Sequence, residues 1–452
     1  MLAAMLAAAA LTLNGTASAT EGYFQHGFGA RYKALGGAGV ADSTDATAAA
    51  LNPAGLVHAA DQIDASASIF SPRRGFIGSG APGLTPLGEV DSTGNYFLIP
   101  NLALSYHPKS FLPFVDVVGL SVYANGGLNV HYPNFARLDG GCGPVGGATG
   151  VFCRGGTGDN LQQAFVSVAF AKQFGNFSVG IAPIIAYQLI KFNGLQLFAD
   201  VPGLSIDPAN LTDRKIDTSW GYGIRGGVEW TVVPGVRLAV AGNSRIWMDR
   251  FDNYRGLLAE QGDFDIPASA QAGIAVDLMP TLTVMADLRY IWYSTVRSIS
   301  NPSSNILACP ALGGAVPSAC LGGVNGPGFG WRDIAAVKFG AEWRASDRLT
   351  LRAGYAFNEQ PMSGRDALIN IMAPGLVQHH FTAGGKYQID HNWSVELAGF
   401  FVPRATVHGS ELPVIGNPAH QIELQGKGVE ATVGIVYRFD AAAPASRPII
   451  SK

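Results

Sequence analysis

Charge is scarce in this chain. Asp, Glu, Lys and Arg make up 14% of the residues, against about 25% in an ordinary soluble domain. Long apolar runs are scarce as well. A membrane-spanning helix needs about 20 consecutive apolar residues, and beyond position 20 no such window is free of Gly, Pro, Asn or charge. The longest uncharged stretch, 298–331, holds four prolines and seven glycines, which is loop chemistry. No basic block occurs and the net charge is -3, so nothing points to a nucleic-acid partner. Motifs of catalysis are missing too: there is no G-x-S-x-G, H-E-x-x-H or Walker loop, and the nine histidines are scattered. Disorder is excluded by the 10% aromatic content and the many β-branched residues.

What is present starts with an export signal. Residues 1–13 are apolar, and Ala17-Ser18-Ala19 is a small-residue cleavage site, so 1–19 is expected to be a signal peptide. The first cation is Arg31, so the usual positive flank is absent; a start placed too late accounts for this, and an alanine-rich helix is the alternative. Only four cysteines occur, as Cys142 with Cys153 and Cys309 with Cys320. No His lies within either pair and the spacing matches no zinc pattern, so no metal or cofactor is expected. Two local disulfides, each stapling one loop, suit an oxidising compartment; free thiols are the alternative.

From residue 61 onward the period is two. Leu282, Val284, Ala286, Leu288, Tyr290 and Trp292 share one face, opposite Thr281, Thr283, Asp287 and Arg289. Fourteen such segments centre on 61–72, 96–108, 115–127, 161–174, 177–192, 216–231, 235–249, 264–278, 281–296, 333–345, 348–360, 377–389, 392–407 and 427–439. Alternation over ten or more residues exceeds the soluble-strand mode of about 5–6 and suits a tilted membrane strand. The connections alternate long and short: 73–95, 128–160, 193–215, 250–263, 297–332, 361–376 and 408–426 are long, and those between them are short. Tight periplasmic turns and long external loops produce this pattern. The reading is an all-β fold, a 14-stranded antiparallel transmembrane β-barrel over 61–439, in the outer membrane. Arg225, Glu229, Arg237, Arg245, Asp287, Arg289, Lys338, Glu342, Arg344, Arg352, Glu396, Glu430 and Arg438 then face the lumen, paired with one another or with a ligand or plug.

Residues 20–60 contain no such run. Glu21-Gly22-Tyr23-Phe24-Gln25, the small-residue run from Ala34 to Asp42, and the Asn52-Pro53-Ala54 box resemble the N-terminal hatch of the FadL/TodX family. In the barrel, Ala124-Asn125-Gly126-Gly127-Leu128 is similar to that family's kinked third strand. Tyr290 through Ser294, Trp331-Arg332-Asp333 and Phe357 through Pro361 follow in family order.

The resemblance implies a barrel plugged by a hatch that carries long-chain fatty acids or aromatic hydrocarbons. Substrate would settle between two external loops, move to a pocket at the hatch N-terminus, and leave sideways beside the kink. By position, Tyr23 and Phe24 would touch substrate, and Asn52 would hold the hatch against the kink near Asn125 and Gly126; Pro53 as a plain turn former is the alternative. The loops offer Leu195, Leu197, Phe198, Phe251, Tyr254, Leu257 and Leu258, exposed apolar groups that must cover a ligand or each other. Lys191, beside Gln188, is the cation nearest to a carboxylate-binding position. The expected partners are a hydrophobic small molecule and the lipid and lipopolysaccharide around a monomer. A tail at 440–452 would hang in the periplasm. A diffusion porin, or an outer-membrane enzyme, is the rival reading.

Overall fold

The computed structural model describes residues 21–108, 114–142 and 148–439. The segments expected to be a signal peptide, 1–19, and a tail, 440–452, lie outside the described residues. No described helix is long and apolar enough to cross a membrane.

Among the described residues, fourteen long antiparallel strands form one sheet. They are β1 (Gln62–Gly80), β2 (Phe97–Tyr106), β3 (Val117–Tyr132), β4 (Thr157–Phe174), β5 (Phe177–Asn193), β6 (Asp217–Val233) and β7 (Val236–Asn243). The second half comprises β8 (Ser269–Met279), β9 (Leu282–Ile291), β10 (Ile334–Arg344), β11 (Leu349–Asn358), β12 (His379–Gln388), β13 (Trp393–Ser410) and β14 (His420–Arg438). Each pairs with its neighbour in sequence. β14 then returns to β1, from Gln62–Arg438 through Gly80–His420, and closes the barrel. Short segments Gly88–Asp91 and Trp247–Met248 extend the wall beside β1 and β6. Closure satisfies every edge, which a sheet must do to sit in lipid.

Burial is inverted relative to a water-soluble sheet. Along β9, Leu288 and Tyr290 are exposed while Asp287 and Arg289 are buried. Along β14, Val429, Val433 and Ile435 are exposed while Glu430 and Thr432 are buried. The apolar face of each strand therefore looks outward and the polar face inward, as a lipid solvent demands. Strand ends differ from the sequence reading. β1 runs on to Gly80 and β14 begins at His420, because these two pair throughout and each supports an extension in which alternation has faded.

Residues 21–60 add no strand to the wall. They form helix α1 (Gly29–Ala34), a helical turn at Ala48–Leu51 and a 3-10 turn at Pro53–His58, nearly all buried. Their polar groups meet the inward-facing charges. Glu21 lies 2.7 Å from Lys338 and 2.9 Å from Arg289. Arg31 pairs with Asp42 at 2.6 Å and Glu342 at 2.9 Å, and Lys33 with Glu430 at 2.7 Å. Asp287 accepts the backbone N–H groups of Gly39 and Val40 at 2.8 and 2.9 Å. Arg352 bridges Glu342 and Glu396 at 2.8 and 2.9 Å. Losing one partner of such a buried pair costs about 3–5 kcal/mol, so the pairs set the register of 21–60 against the inner wall more than they add net stability. Two residues expected on the lumen face sit elsewhere. Arg344 ends β10, is exposed, and donates to the Pro280 carbonyl at the turn. Arg245 lies past the end of β7 and pairs with Asp265 at 2.6 Å in the following loop.

Candidate functional site

Tyr23 and Phe24 open the N-terminal segment and are fully buried. Their rings meet three others. Tyr23 lies 5.5 Å from Tyr293, 6.0 Å from Trp331 and 6.3 Å from Phe264, between centroids, and Phe24 lies 5.8 Å from Tyr293. Tyr293 and Trp331 stand edge to face at 5.2 Å, an arrangement aromatic pairs favour. The polar tips of Tyr293 and Trp331 are bonded, while the buried Tyr23 Oη has no hydrogen-bond partner among the described residues. Tyr293 Oη donates to the Glu21 carbonyl at 2.6 Å and Trp331 Nε1 to Asn370 Oδ1 at 2.7 Å. The ring faces form a largely apolar cage, with the Tyr23 hydroxyl as its one unbonded polar atom among the rings named.

Beside this cage β3 is irregular. Its register with β4 shifts between Ala124 and Gly126. Its pairing with β2 stops at Asn101–Tyr123, although β3 runs on to Tyr132. Pro100, next on β2, has no N–H to donate to another rung. The N-terminal segment takes the vacated edge. Gly127 N–H donates to the Tyr23 carbonyl at 3.0 Å, and Gln25 N–H donates to the Asn125 carbonyl at 3.1 Å. Gln25 Nε2 adds a bond to the Ala124 carbonyl at 2.7 Å. Only glycine fits at 126, where a Cβ would lie 1.8 Å from the Tyr23 oxygen. A cavity of about 10 Å³ lined by Gln25, Phe28, Pro100, Asn101 and Tyr123 lies where the strands part. It has room for about one water.

A relay of amides leads away from the irregularity. Asn125 Nδ2 donates to Gln163 Oε1 at 2.9 Å, Gln163 Nε2 to Gln188 Oε1 at 3.1 Å, and Gln188 Nε2 to the Phe264 carbonyl at 2.8 Å. An amide both donates and accepts, so each link passes on the direction of the next. The relay joins β3 to the loop between β7 and β8.

A family profile described as "Outer membrane protein transport protein (OMPP1/FadL/TodX)" matches residues 3–439. The chain belongs to this family. It is thus a transport channel of the outer membrane and not an enzyme. Among solved structures, the toluene transporter TodX of Pseudomonas putida superposes with a TM-score of 0.66 at 16% identity, over 92% of this chain and 99% of that one. A FadL homologue of Pseudomonas aeruginosa gives 0.62 at 16% identity, over 93% and 100%. A third likeness is partial: an outer membrane protein, NMB0088, of Neisseria meningitidis serogroup B is 38% identical over 68 residues, 15% of this chain and 14% of that protein.

As a FadL/TodX-family barrel, the chain places its other expected site residues as follows. Leu195, Phe251, Tyr254 and Leu258 are buried in one apolar cluster, with Leu197, Phe198 and Leu257 half-buried against it. The two loops carrying them pack on each other. Phe192 and Tyr254 meet edge to face at 5.4 Å, and Tyr254 Oη bonds the Arg214 and Lys215 carbonyls at 3.2 Å. That cluster is continuous with Tyr23 and Phe24. Both disulfides are formed, Cys142–Cys153 and Cys309–Cys320. The second tethers a third loop over the same cluster, with Leu321 N–H bonded to the Leu204 carbonyl at 2.9 Å.

Two expectations are corrected. Lys191 is exposed on the outer face of β5, whereas Gln188, three residues earlier, is buried on the inner face; period two forbids both from facing inward. Asn52 does not approach Asn125 or Gly126. Its Oδ1 accepts the Ala54 N–H at 3.1 Å, capping the turn that Pro53 begins, and its Nδ2 donates to the Val40 carbonyl at 2.8 Å. It docks on β6, where a Cβ at Gly227 would lie 2.0 Å from Asn52 Oδ1. Sequence reasoning also passed over Tyr293 and Trp331 as site residues. Tyr293 keeps the inward parity of Asp287 and Arg289, which is the signal that locates it.

Proposed function

We propose that this chain takes up hydrophobic small molecules through the outer membrane, with residues 20–60 as a hatch inside the barrel. Ligand is gathered by the external loops between β5 and β6 and between β7 and β8. It then moves to the cage around Tyr23 and Phe24 and leaves sideways where β2 and β3 part. One observation carries this reading: a continuous apolar cluster contains Phe251, Tyr254, Tyr23 and Phe24, and reaches the interrupted β2–β3 ladder at Tyr123. Because the cavity there holds about one water, the closed gap must widen, and the strap of Tyr23, Phe24 and Gln25, which fills the vacated edge, is the part that moves. The Asn125–Gln163–Gln188 relay links that strap to the loop carrying Phe264, so a ligand that displaces Phe264 loosens the gap.

Neutral aromatic hydrocarbons fit the cage best, as toluene does by name for TodX. Arg289, the cation over Phe24 at 5.4 Å, is already neutralised by Glu21. A second reading, long-chain fatty acids, rests on Arg225. This buried guanidinium faces Phe28 and Tyr123 at 5.9 and 6.0 Å, and no carboxylate pairs with it among the described residues. Competition between radiolabelled toluene and oleate for the purified protein separates the two. Toluene binding that survives Arg225→Gln supports the first, and oleate binding abolished by it supports the second. Absence of binding by either removes the proposal.

A further inference from the structure

On the outer face of the barrel, three cations stand at one height across adjacent strands. Arg73 of β1 is the register partner of Lys427 of β14. Arg404 is extruded beside Lys427 by a bulge in β13 between Val402 and Ala405. All three are exposed. Like charges directly opposite on neighbouring strands repel, yet among the described residues Arg73 and Lys427 form no ion pair, and Arg404 reaches Glu423 only at 3.8 Å. Apart from that long contact, no carboxylate lies within ion-pair distance of the three among the described residues.

The height of this tier says which anion. Trp393 and Tyr437, 4.6 Å apart between ring centroids, mark the rim at the short-turn end. Above them the outward residues Ile435, Val433, Leu397, Phe401 and Val429 are exposed and apolar. From Tyr437 to Lys427 is ten residues. At about 3.3 Å each and a tilt of about 40°, they rise roughly 25 Å, the height of the apolar band of an outer-membrane barrel. Arg73, Arg404 and Lys427 therefore lie at the boundary where the head groups of the outer leaflet begin. One step further out come carboxylates: Asp91 beside Gly75, and Glu89 and Glu423 beside Ile77. Between them is a cleft of about 250 Å³, lined by Arg73, Glu89, Asp91, Arg404, Gln425 and Lys427.

We propose that this cleft binds the phosphorylated glycolipid of the outer leaflet. Its phosphate sits among Arg73, Arg404 and Lys427, where guanidinium forks suit phosphate oxygens. Its acyl chains run down over Val429 and Phe401. Its sugar hydroxyls, or a divalent cation bridging to a second phosphate, meet Glu89 and Asp91. This surface lies outside the barrel and stands independently of what the barrel transports.

The test is native mass spectrometry of delipidated full-length protein offered bisphosphorylated lipid A, its dephosphorylated analogue, or lipid A with inorganic phosphate as competitor. The phosphorylated lipid should be retained about tenfold better, the worth of one charge-assisted hydrogen bond, and inorganic phosphate should displace little of it. R73Q/K427Q should lose that preference, while R250Q, on an exposed loop residue, should keep it. Should the double variant lose heat-modifiable migration, R404Q serves in its place. Equal retention of both lipids, full displacement by inorganic phosphate, or an unchanged preference in the charge-removed variant would overturn the proposal.

Discussion

Replacing Gly126 by Ala places a methyl group 1.8 Å from the Tyr23 carbonyl oxygen. Carbon and oxygen need well over 3 Å, so the Tyr23–Gln25 strap must move by more than an ångström. Three hydrogen bonds join it to β3: Gly127 N–H to Tyr23, Gln25 N–H to Asn125, and Gln25 Nε2 to Ala124. At about 1 kcal/mol net for each, the strap loses about 3 kcal/mol, roughly a hundredfold in its closed population. The opposite edge of β3 is paired to β4 on both sides of the irregularity, so the barrel itself should persist. Hydrogen exchange followed by mass spectrometry over residues 21–27 should show roughly a hundredfold less protection. Migration on unheated gels should stay that of a folded barrel, and planar-bilayer conductance should rise. Unchanged protection would refute the view that this strap is what closes the gap.

Further outcomes follow from the same geometry. Asn52→Ala removes a cap and the bond to the Val40 carbonyl, so the 52–58 turn should lose about 1–2 kcal/mol, read as faster exchange there, and uptake should fall with migration on gels unchanged. Reducing the Cys309–Cys320 staple frees a short loop and should cost about 2–3 kcal/mol locally, read as faster proteolysis within 309–320. Burial, reinforced by neighbouring Asp265 and opposed by Arg245, raises the Asp263 carboxyl to about 6. A folded-state value above the ordinary one means the protonated form is favoured, so this contribution is full below about pH 4 and is lost as pH rises through 6. The 244–268 loop should therefore be better protected at pH 5 than at pH 8, after correction for intrinsic exchange, and Asp263→Asn should abolish the difference.

The barrel was legible because lipid outside and a polar interior force a period of two wherever a strand crosses the apolar band. Where β1 and β14 climb above that band, Arg73 and Lys427 take outward positions, the alternation fades, and the strand ends disappear from the sequence. Parity also carried information left unused. Gln188 and Lys191 stand an odd number of residues apart and cannot share a face, while Tyr293 follows the inward parity of Arg289. Other features were beyond parity. The docking of Asn52 depends on the missing side chain of Gly227, far along the chain, and the apolar loop residues cover each other through contacts that no local pattern encodes. Composition identified the loop residues as buried against something, but not against what.

The central claim is that this barrel passes hydrophobic molecules while excluding water and ions. Uptake of radiolabelled toluene, measured in cells with and without the chain and alongside ion conductance of the purified protein in planar bilayers, tests it most directly. The account predicts saturable, chain-dependent uptake with low conductance. Uptake independent of the chain, together with a large, open, ohmic conductance, would identify a diffusion pore and contradict it.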